Sequence, residues 1–361
     1  MDIKRILILC PRALRRSPGQ RFRFEQYIPA LRARGHVVKV SPFLAEGVYP
    51  YLYKEGHFAK KTLAVAAGFL RRIAMLFSVA RFDYVLIYRE ASPLGPPVFE
   101  FLLSAMGKKI IYDFDDAIYI PAASKANRIA LWFKCAWKVG YNCRQATMVA
   151  VCNPYLVSWV KQYTDSVVLL PTTIDLGYHQ PVPKTAIRNR RIVIGWTGSH
   201  STVRYLDLVV DALVSLAHSY DFEFMVICDV DPKLTAIKNY RYVPWCLATE
   251  IADLGRIDIG LMPVPVGKWE LGKVGFKAIQ YSGVGAVPVV SSTGSGHEVV
   301  IDGETGFVVQ NTTDAWVSAL SKLLAAPETI SDIGSKAREY IRLHYSVEAN
   351  TDIFLNLFTV Q

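Results

Sequence analysis

The chain has 361 residues, 52% hydrophobic and 12% aromatic, which is enough for two α/β domains of about 150 residues each and excludes a repetitive or low-complexity protein. Its net charge of +10 is uneven: residues 1–170 hold 25 Lys+Arg against 11 Asp+Glu, giving +14, and residues 171–361 hold 16 against 20, giving −4. A basic half joined to a mildly acidic one points to an anionic partner for the first half: a membrane surface, a phosphorylated acceptor or nucleic acid. The six cysteines are scattered and form no CxxC pair, so reduced thiols in a cytosolic protein and no zinc site are expected. The opening MDIKRILILCPR reads as a strand with an early charge and not as a signal peptide, its apolar run being too short.

In chain order, Ile6–Cys10 is a buried-type strand, Phe24 to Arg34 an amphipathic helix ended by Gly35, and Val37–Val40 a second strand. This β-α-β beginning continues through Tyr84–Tyr88, Lys109–Tyr112, Met148–Val151 and Val167–Leu170, the pattern of a doubly wound parallel sheet. Between them, residues 57–81 read as one helix. Lys60 and Lys61 return as Arg71 and Arg72 eleven residues later, on nearly the same face. The other face is Leu, Phe, Ile and Met, and its uncharged runs are too short to cross the ~30 Å of a bilayer core. An interfacial helix with its cations on anionic lipid is the expectation, against a domain helix with a solvated basic side.

Residues 171–190 hold three prolines and no period, and form the expected linker. A second α/β series follows with Ile192–Gly195, a helix at about 202–218, Phe222–Cys228, Asp258–Met262 and Val287–Ser291. The domains are therefore 1–170, 191–345 and a terminal helix, 346–361, returning to the first domain. Two Rossmann-like halves form a cleft, with ligands beyond the carboxyl ends of the strands.

Five constellations at strand ends carry candidate chemistry. PRALRRSPGQRFRFEQY places Arg12, Arg15, Arg16, Arg21 and Arg23 around Gly19, suited to bidentate phosphate contacts or to a solvated loop. No GxGxxG is present, so a dinucleotide is not expected. Asp113, Asp115 and Asp116 crowd one strand end, where carboxylates need a ligand, a metal or a partner such as the arginine loop. GWTGSHST offers a Gly198 turn, with Ser199 or Thr202 as helix cap and amides for a phosphate. Trp245, just before Glu250, is either a wall for a nucleobase or a core residue. GKVGFKAIQYSGVGAVPVVSS, from Gly272 to Ser292, brings Lys273 and Lys277 four apart at a helix start, on one face for a diphosphate or simply solvated.

Together, GWTGS, VPWCLATEIADLGRIDIGLMPVP, GKVGFKAIQYSGVGAVPVVSS and EVVIDGETGFVV resemble the group 1 glycosyltransferases of the two-domain GT-B fold. PGQRFRFEQYIPALRARGH and YDFDDA resemble one subgroup of that family. The resemblance implies a hexosyltransferase that takes sugar from a nucleotide-sugar donor with retention, needing no metal and no cofactor. It implies donor binding by the second domain through Gly198, Ser199, Trp245, Glu250 and Gln280, with Lys273 and Lys277 on the diphosphate. The first domain would bind a glycan or lipid-phosphate acceptor through Arg15, Arg16, Gly19, Arg21 and Asp113. Asp115 and Asp116 would be catalytic, and if the reaction inverts Asp113, Asp115 or Asp116 is the candidate base. Many members carry two glutamates eight apart where this chain has Gly272 and Gln280, which leaves the donor-sugar contacts open. The expected setting is cytoplasmic, peripheral on the cell membrane, in surface polysaccharide or lipopolysaccharide synthesis and without nucleic acid. The alternatives are a nucleotide-sugar epimerase on the same fold and a non-catalytic basic binding protein.

Overall fold

The computed structural model describes residues 2–52, 54–121, 135–182 and 190–360. The chain divides into two compact units, residues 1–172 with 350–361 and residues 173–349. Residues 183–189 of the expected linker lie outside the described residues. Before them, Ile174 is fully buried and bridges to Ser346, so this stretch is packed structure of the second unit.

The first unit is a parallel sheet in the order β2-β1-β3-β4-β5-β6. Its strands are β1 (Arg5–Cys10), β2 (Val37–Pro42), β3 (Tyr84–Tyr88), β4 (Lys109–Phe114), β5 (Met148–Val151) and β6 (Val167–Leu169). Ile6 to Cys10 and Val85 to Ile87 are wholly buried, as continuous apolar runs require when both sheet faces are covered. The helix expected from Phe24 begins late: a 3-10 turn, Glu25–Tyr27, leads into α1 (Ile28–Ala33). Pro29 has no N–H to give and belongs in a first helical turn, which sets the start. Gly35, at φ +85°, ends the helix as read. Within this unit Phe354 stacks on Tyr27, ring centroids 4.5 Å apart, and Tyr84 donates to the carbonyl of Val360 at 2.7 Å.

The segment 57–81 forms α2 (Phe58–Leu76) and then a 3-10 turn, Val79–Arg81. Its four cations do not share an exposed face, which corrects the sequence expectation. Arg72 is fully buried and donates to the carbonyls of Cys10 (3.1 Å), Ser41 (3.0 Å) and Ala91 (2.7 Å). Arg71 donates to the carbonyls of Pro42 and Phe43, and Lys61 to that of Lys54. The reason is local. Parallel strands end in carbonyls that need donors, and a guanidinium with five N–H groups serves three chain segments at once. Burial pushes the Arg72 guanidinium down to about 10. Gly68 lets α2 close on the ring of Phe43, where a Cβ would come within 2.5 Å.

The second unit is a parallel sheet in the order β12-β11-β10-β7-β8-β9. Its strands are β7 (Ile192–Thr197), β8 (Phe222–Cys228), β9 (Tyr240–Pro244), β10 (Ile259–Met262), β11 (Val287–Ser291) and β12 (Phe307–Val309). The helix expected at 202–218 is a 3-10 segment, Val203–Leu208, followed by α3 (Val210–Leu216). Val209 breaks the run at φ −130°, inside a pair of β-branched residues that resist helix. Trp196, Trp316, Leu213 and Leu320 lie at the centre of the core.

Candidate functional site

Strands β7 and β10 mark the switch point of the second sheet, where chain order reverses. They pair only at Ile194 with Ile259 and Gly195 with Gly260. Beyond that the phenol of Tyr281 stands between them, accepting from the Thr197 N–H at 2.9 Å and donating to the Leu261 carbonyl at 3.1 Å. Tyr281 belongs to α4 (Phe276–Gly283), and its ring fits because position 260 is glycine: a Cβ there would sit 2.2 Å from it.

Lys277, one turn earlier on α4, is half-buried with its ammonium 4.7 Å from the centre of the Trp196 ring. Gly198 leaves that ring its space, since a Cβ would approach it to 2.3 Å. Burial, and then the charge of Lys273, pull the Lys277 amine down to about 7. Among the described residues the Cys228 thiol opposes this and no carboxylate does. Lys273 lies 4.7 Å from the centre of the Tyr205 ring and donates to its hydroxyl at 3.1 Å. Tyr205 in turn donates to Glu270 at 2.6 Å, and burial followed by Glu270 pushes the phenol up to about 12. The common-face argument for the two lysines fails, because Lys273 precedes the helix, between Gly272 and the Gly275 cap. They converge because Gly275 lets the turn pass against the loop at Ser295, with Val274 bridging to Ser295.

The other expected donor residues line the same strand ends. Ser199 bonds locally, its amide to Thr202 Oγ1 at 3.3 Å and its hydroxyl to Ser201 at 2.8 Å. Neither Ser199 nor Thr202 caps a helix by its side chain, which corrects the capping expectation: the Gly198 turn runs into 3-10 structure. His200 is anchored instead by Asp229, through ring Nδ1 and backbone N–H, both at 2.6 Å. Trp245 is partly exposed at the end of β9, with its indole N–H on Glu250 at 3.3 Å. Glu250 is buried and also accepts from Tyr178, so its carboxylate positions Trp245. Gln280 is buried beside Tyr281.

In the first unit the expected acceptor cluster forms but is internally satisfied. Asp113 is buried in a bidentate pair with Arg23, which also donates to the Leu170 carbonyl. Asp113 as an acceptor contact is therefore corrected to a structural role. Asp115 accepts from Arg89 Nε at 2.8 Å and from Tyr88 at 2.9 Å, and Arg89 also pairs with Asp116. Burial alone would raise the Asp115 carboxyl, but Arg89 and Arg23 outweigh it and hold it below the usual range. A carboxylate so held is a poor base, which removes the role suggested for it. Gly19 passes directly over this pair: a Cβ would come 2.3 Å from the Tyr88 hydroxyl and 3.0 Å from Asp115. Arg15 and Arg16 are exposed, Arg16 paired with Glu46, and Arg21 lies over the Phe22 ring at 4.8 Å. No three His, Cys, Asp or Glu side chains among the described residues are grouped to hold a metal.

Sequence reading missed Trp196, Tyr205, Glu270, Tyr281 and Arg89. A signal existed for Tyr281, which stands next to Gln280 in the motif. Arg89, at φ +61°, had none.

Residues 191–326 match the family model described as glycosyl transferases group 1. No curated protein matches the sequence. Solved structures match over nearly the whole chain. A glycosyltransferase from Rickettsia africae is 14% identical with a TM-score of 0.72, covering 99% of this chain and 98% of that one. The catalytic domain of starch synthase IV from Arabidopsis thaliana, bound to ADP and acarbose, is 12% identical with a TM-score of 0.72, covering 99% of each. Anabaena HepE in complex with UDP and glucose is 11% identical with a TM-score of 0.67 over the full length of both. The chain has the GT-B fold of two parallel six-stranded α/β sheets.

Proposed function

We propose that this chain is a glycosyltransferase that moves a sugar from a nucleotide-sugar donor to a lipid-linked or polysaccharide acceptor in bacterial surface-glycan synthesis. The observation that carries the reading is the Lys273–Lys277 pair at the switch point, with the Lys277 amine half-buried and its charge suppressed for want of an anion. A diphosphate supplies that anion. The group 1 match over 191–326 covers this same segment, and proteins of this fold are known in complexes with UDP and with ADP.

In this mechanism the anomeric C–O bond to the diphosphate breaks as a C–O bond to the acceptor hydroxyl forms on the same face. The acceptor proton passes to the departing phosphate oxygen, so no protein base is required. Lys273 and Lys277 neutralise the charge that develops on the leaving group, without a metal, and such preplaced charge is commonly the largest catalytic contribution. Trp245 stacks on the base, and Gln280 offers an amide to a ribose hydroxyl. Glu270, held by Tyr205 two residues before Gly272, supplies the acidic sugar contact that Gly272 lacks. On the acceptor side, Arg15, Arg16 and Arg21 beside Gly19 present exchangeable cations to a phosphate-bearing substrate.

The test is mass-spectrometric detection of transfer from a panel of UDP-, GDP- and dTDP-sugars. Transfer is expected from one of them and is expected to be lost in Lys273→Ala and Lys277→Ala. Full activity in both variants would remove the assigned roles, and sugar interconversion without an acceptor would point to an epimerase.

A further inference from the structure

The exposed side of α2 is largely apolar, Thr62 being the polar residue within it. Ala59, Leu63, Ala66, Leu70, Ile73 and Phe77 follow one another at intervals of three and four along nearly the whole helix. Leu63 is 70% exposed, Leu70 66%, Ile73 47% and Phe77 87%, and Phe58 at the other end is 80% exposed. No charged residue interrupts this stripe, because Arg71 and Arg72 are spent on carbonyls of the sheet beneath. A stripe about 28 Å long, at 1.5 Å per residue, left bare to water is unfavourable unless something covers it.

Charge selects the occupant. Residues 56–82 contain no Asp or Glu and five cations, Lys60, Lys61, Arg71, Arg72 and Arg81. Lys60 and Arg81 are exposed at the two ends of the stripe. The three-and-four spacing would also suit a two-helix seam, but pairing two copies of an acid-free basic segment sets like charges together, which costs free energy. An anionic lipid surface accepts both parts, the acyl boundary taking the apolar side chains and the headgroups the cations.

We propose that α2 lies in the plane of an anionic bilayer surface with Leu63, Leu70, Ile73 and Phe77 immersed, flanked by Lys60 and Arg81 at the headgroups. No described helix is long and apolar enough to cross a membrane, and an in-plane helix does not need to be. This inference does not depend on the proposed reaction.

The experiment is flotation of the full-length protein with vesicles of phosphatidylcholine alone and with one-third phosphatidylglycerol. Leu70→Asp/Phe77→Asp and Lys60→Glu/Arg81→Glu variants are compared with the parent after circular dichroism confirms their fold. Binding to the anionic vesicles is expected to fall roughly a hundredfold in the first variant, since burying each large side chain is worth about tenfold or more. In the second variant, and in 0.5 M salt, it is expected to fall several-fold without vanishing. Unchanged flotation of Leu70→Asp/Phe77→Asp would overturn the inference. So would a vesicle-free dimer, seen by analytical ultracentrifugation, that the same substitutions dissolve, because the stripe would then belong to a second copy. UDP and GDP thermal shifts should be the same in all three proteins, which separates this outcome from any failure of the proposed donor site.

Discussion

Each unit gathers charged side chains at the carboxyl ends of parallel strands, but the two gatherings differ in how they are compensated. In the first unit Asp113, Asp115 and Asp116 are matched by Arg23 and Arg89. In the second, Lys273 and Lys277 face aromatic rings and each other. Both motifs looked equally promising as strings of letters. The difference teaches that charge at a strand end is a candidate for an anion where like charges meet, as at Lys277 and Lys273, and not where carboxylates are matched by guanidiniums.

Breaking the paired cluster should have the largest effect on stability. Arg23→Ala leaves Asp113 buried and unmatched and is expected to cost about 3–5 kcal/mol, read as a lowered midpoint in urea. The double variant Arg23→Met/Asp113→Leu should recover most of that loss; no recovery would mean that the pair is not what holds the site. Breaking the lysine site should behave in the opposite way. Lys277→Ala is expected to lower turnover about 10²–10³-fold while leaving the fold intact. A loss of stability as large as that of Arg23→Ala would erase the contrast.

Tyr281→Phe lies between these. It leaves the Thr197 N–H and the Leu261 carbonyl without their partner, at about 1–3 kcal/mol by thermal denaturation. Its effect on donor affinity should exceed that of Tyr205→Phe only if the gap between β7 and β10 sets the position of Lys277.

The pH dependence of the lysine site is the most diagnostic test. The Lys277 amine titrates near 7 in the folded chain and near its ordinary 10.5 in the unfolded one, so the unfolded state binds more protons between those values. Stability of the free protein should therefore rise with pH across that window, the burden being greatest below pH 7. Lys277→Met should flatten this slope. A bound diphosphate restores the charge, so binding at pH 8 should take up nearly one proton, measured by calorimetry in Tris and HEPES. Equal binding heats, after correction for dilution, would show that the amine is already charged.

The sheet of each unit was legible because parallel strands covered on both faces leave uninterrupted apolar runs such as RILILC and YVLIY. Two edge strands were not legible. Tyr240–Pro244 has only partly buried or exposed side chains, and Phe307–Val309 has three residues. In the site, Lys273 and Lys277 were found from spacing, although only Lys277 is helical and their meeting depends on Gly275 and Gly198, whose neighbours are distant in sequence. Arg72 was misread for the same kind of reason. An eleven-residue repeat shows which residues share a helix face, but not whether that face meets water or the carbonyl ends of a sheet.

The fit between Tyr281 and Gly260 also limits how this site can change. Gly260→Ala alone drives a methyl into the ring, and shrinking Tyr281 alone opens a void and strands two backbone groups. Each substitution alone therefore carries its own cost, and the two positions constrain each other. A designer wishing to move Lys277 would do best to exchange both together or leave both alone.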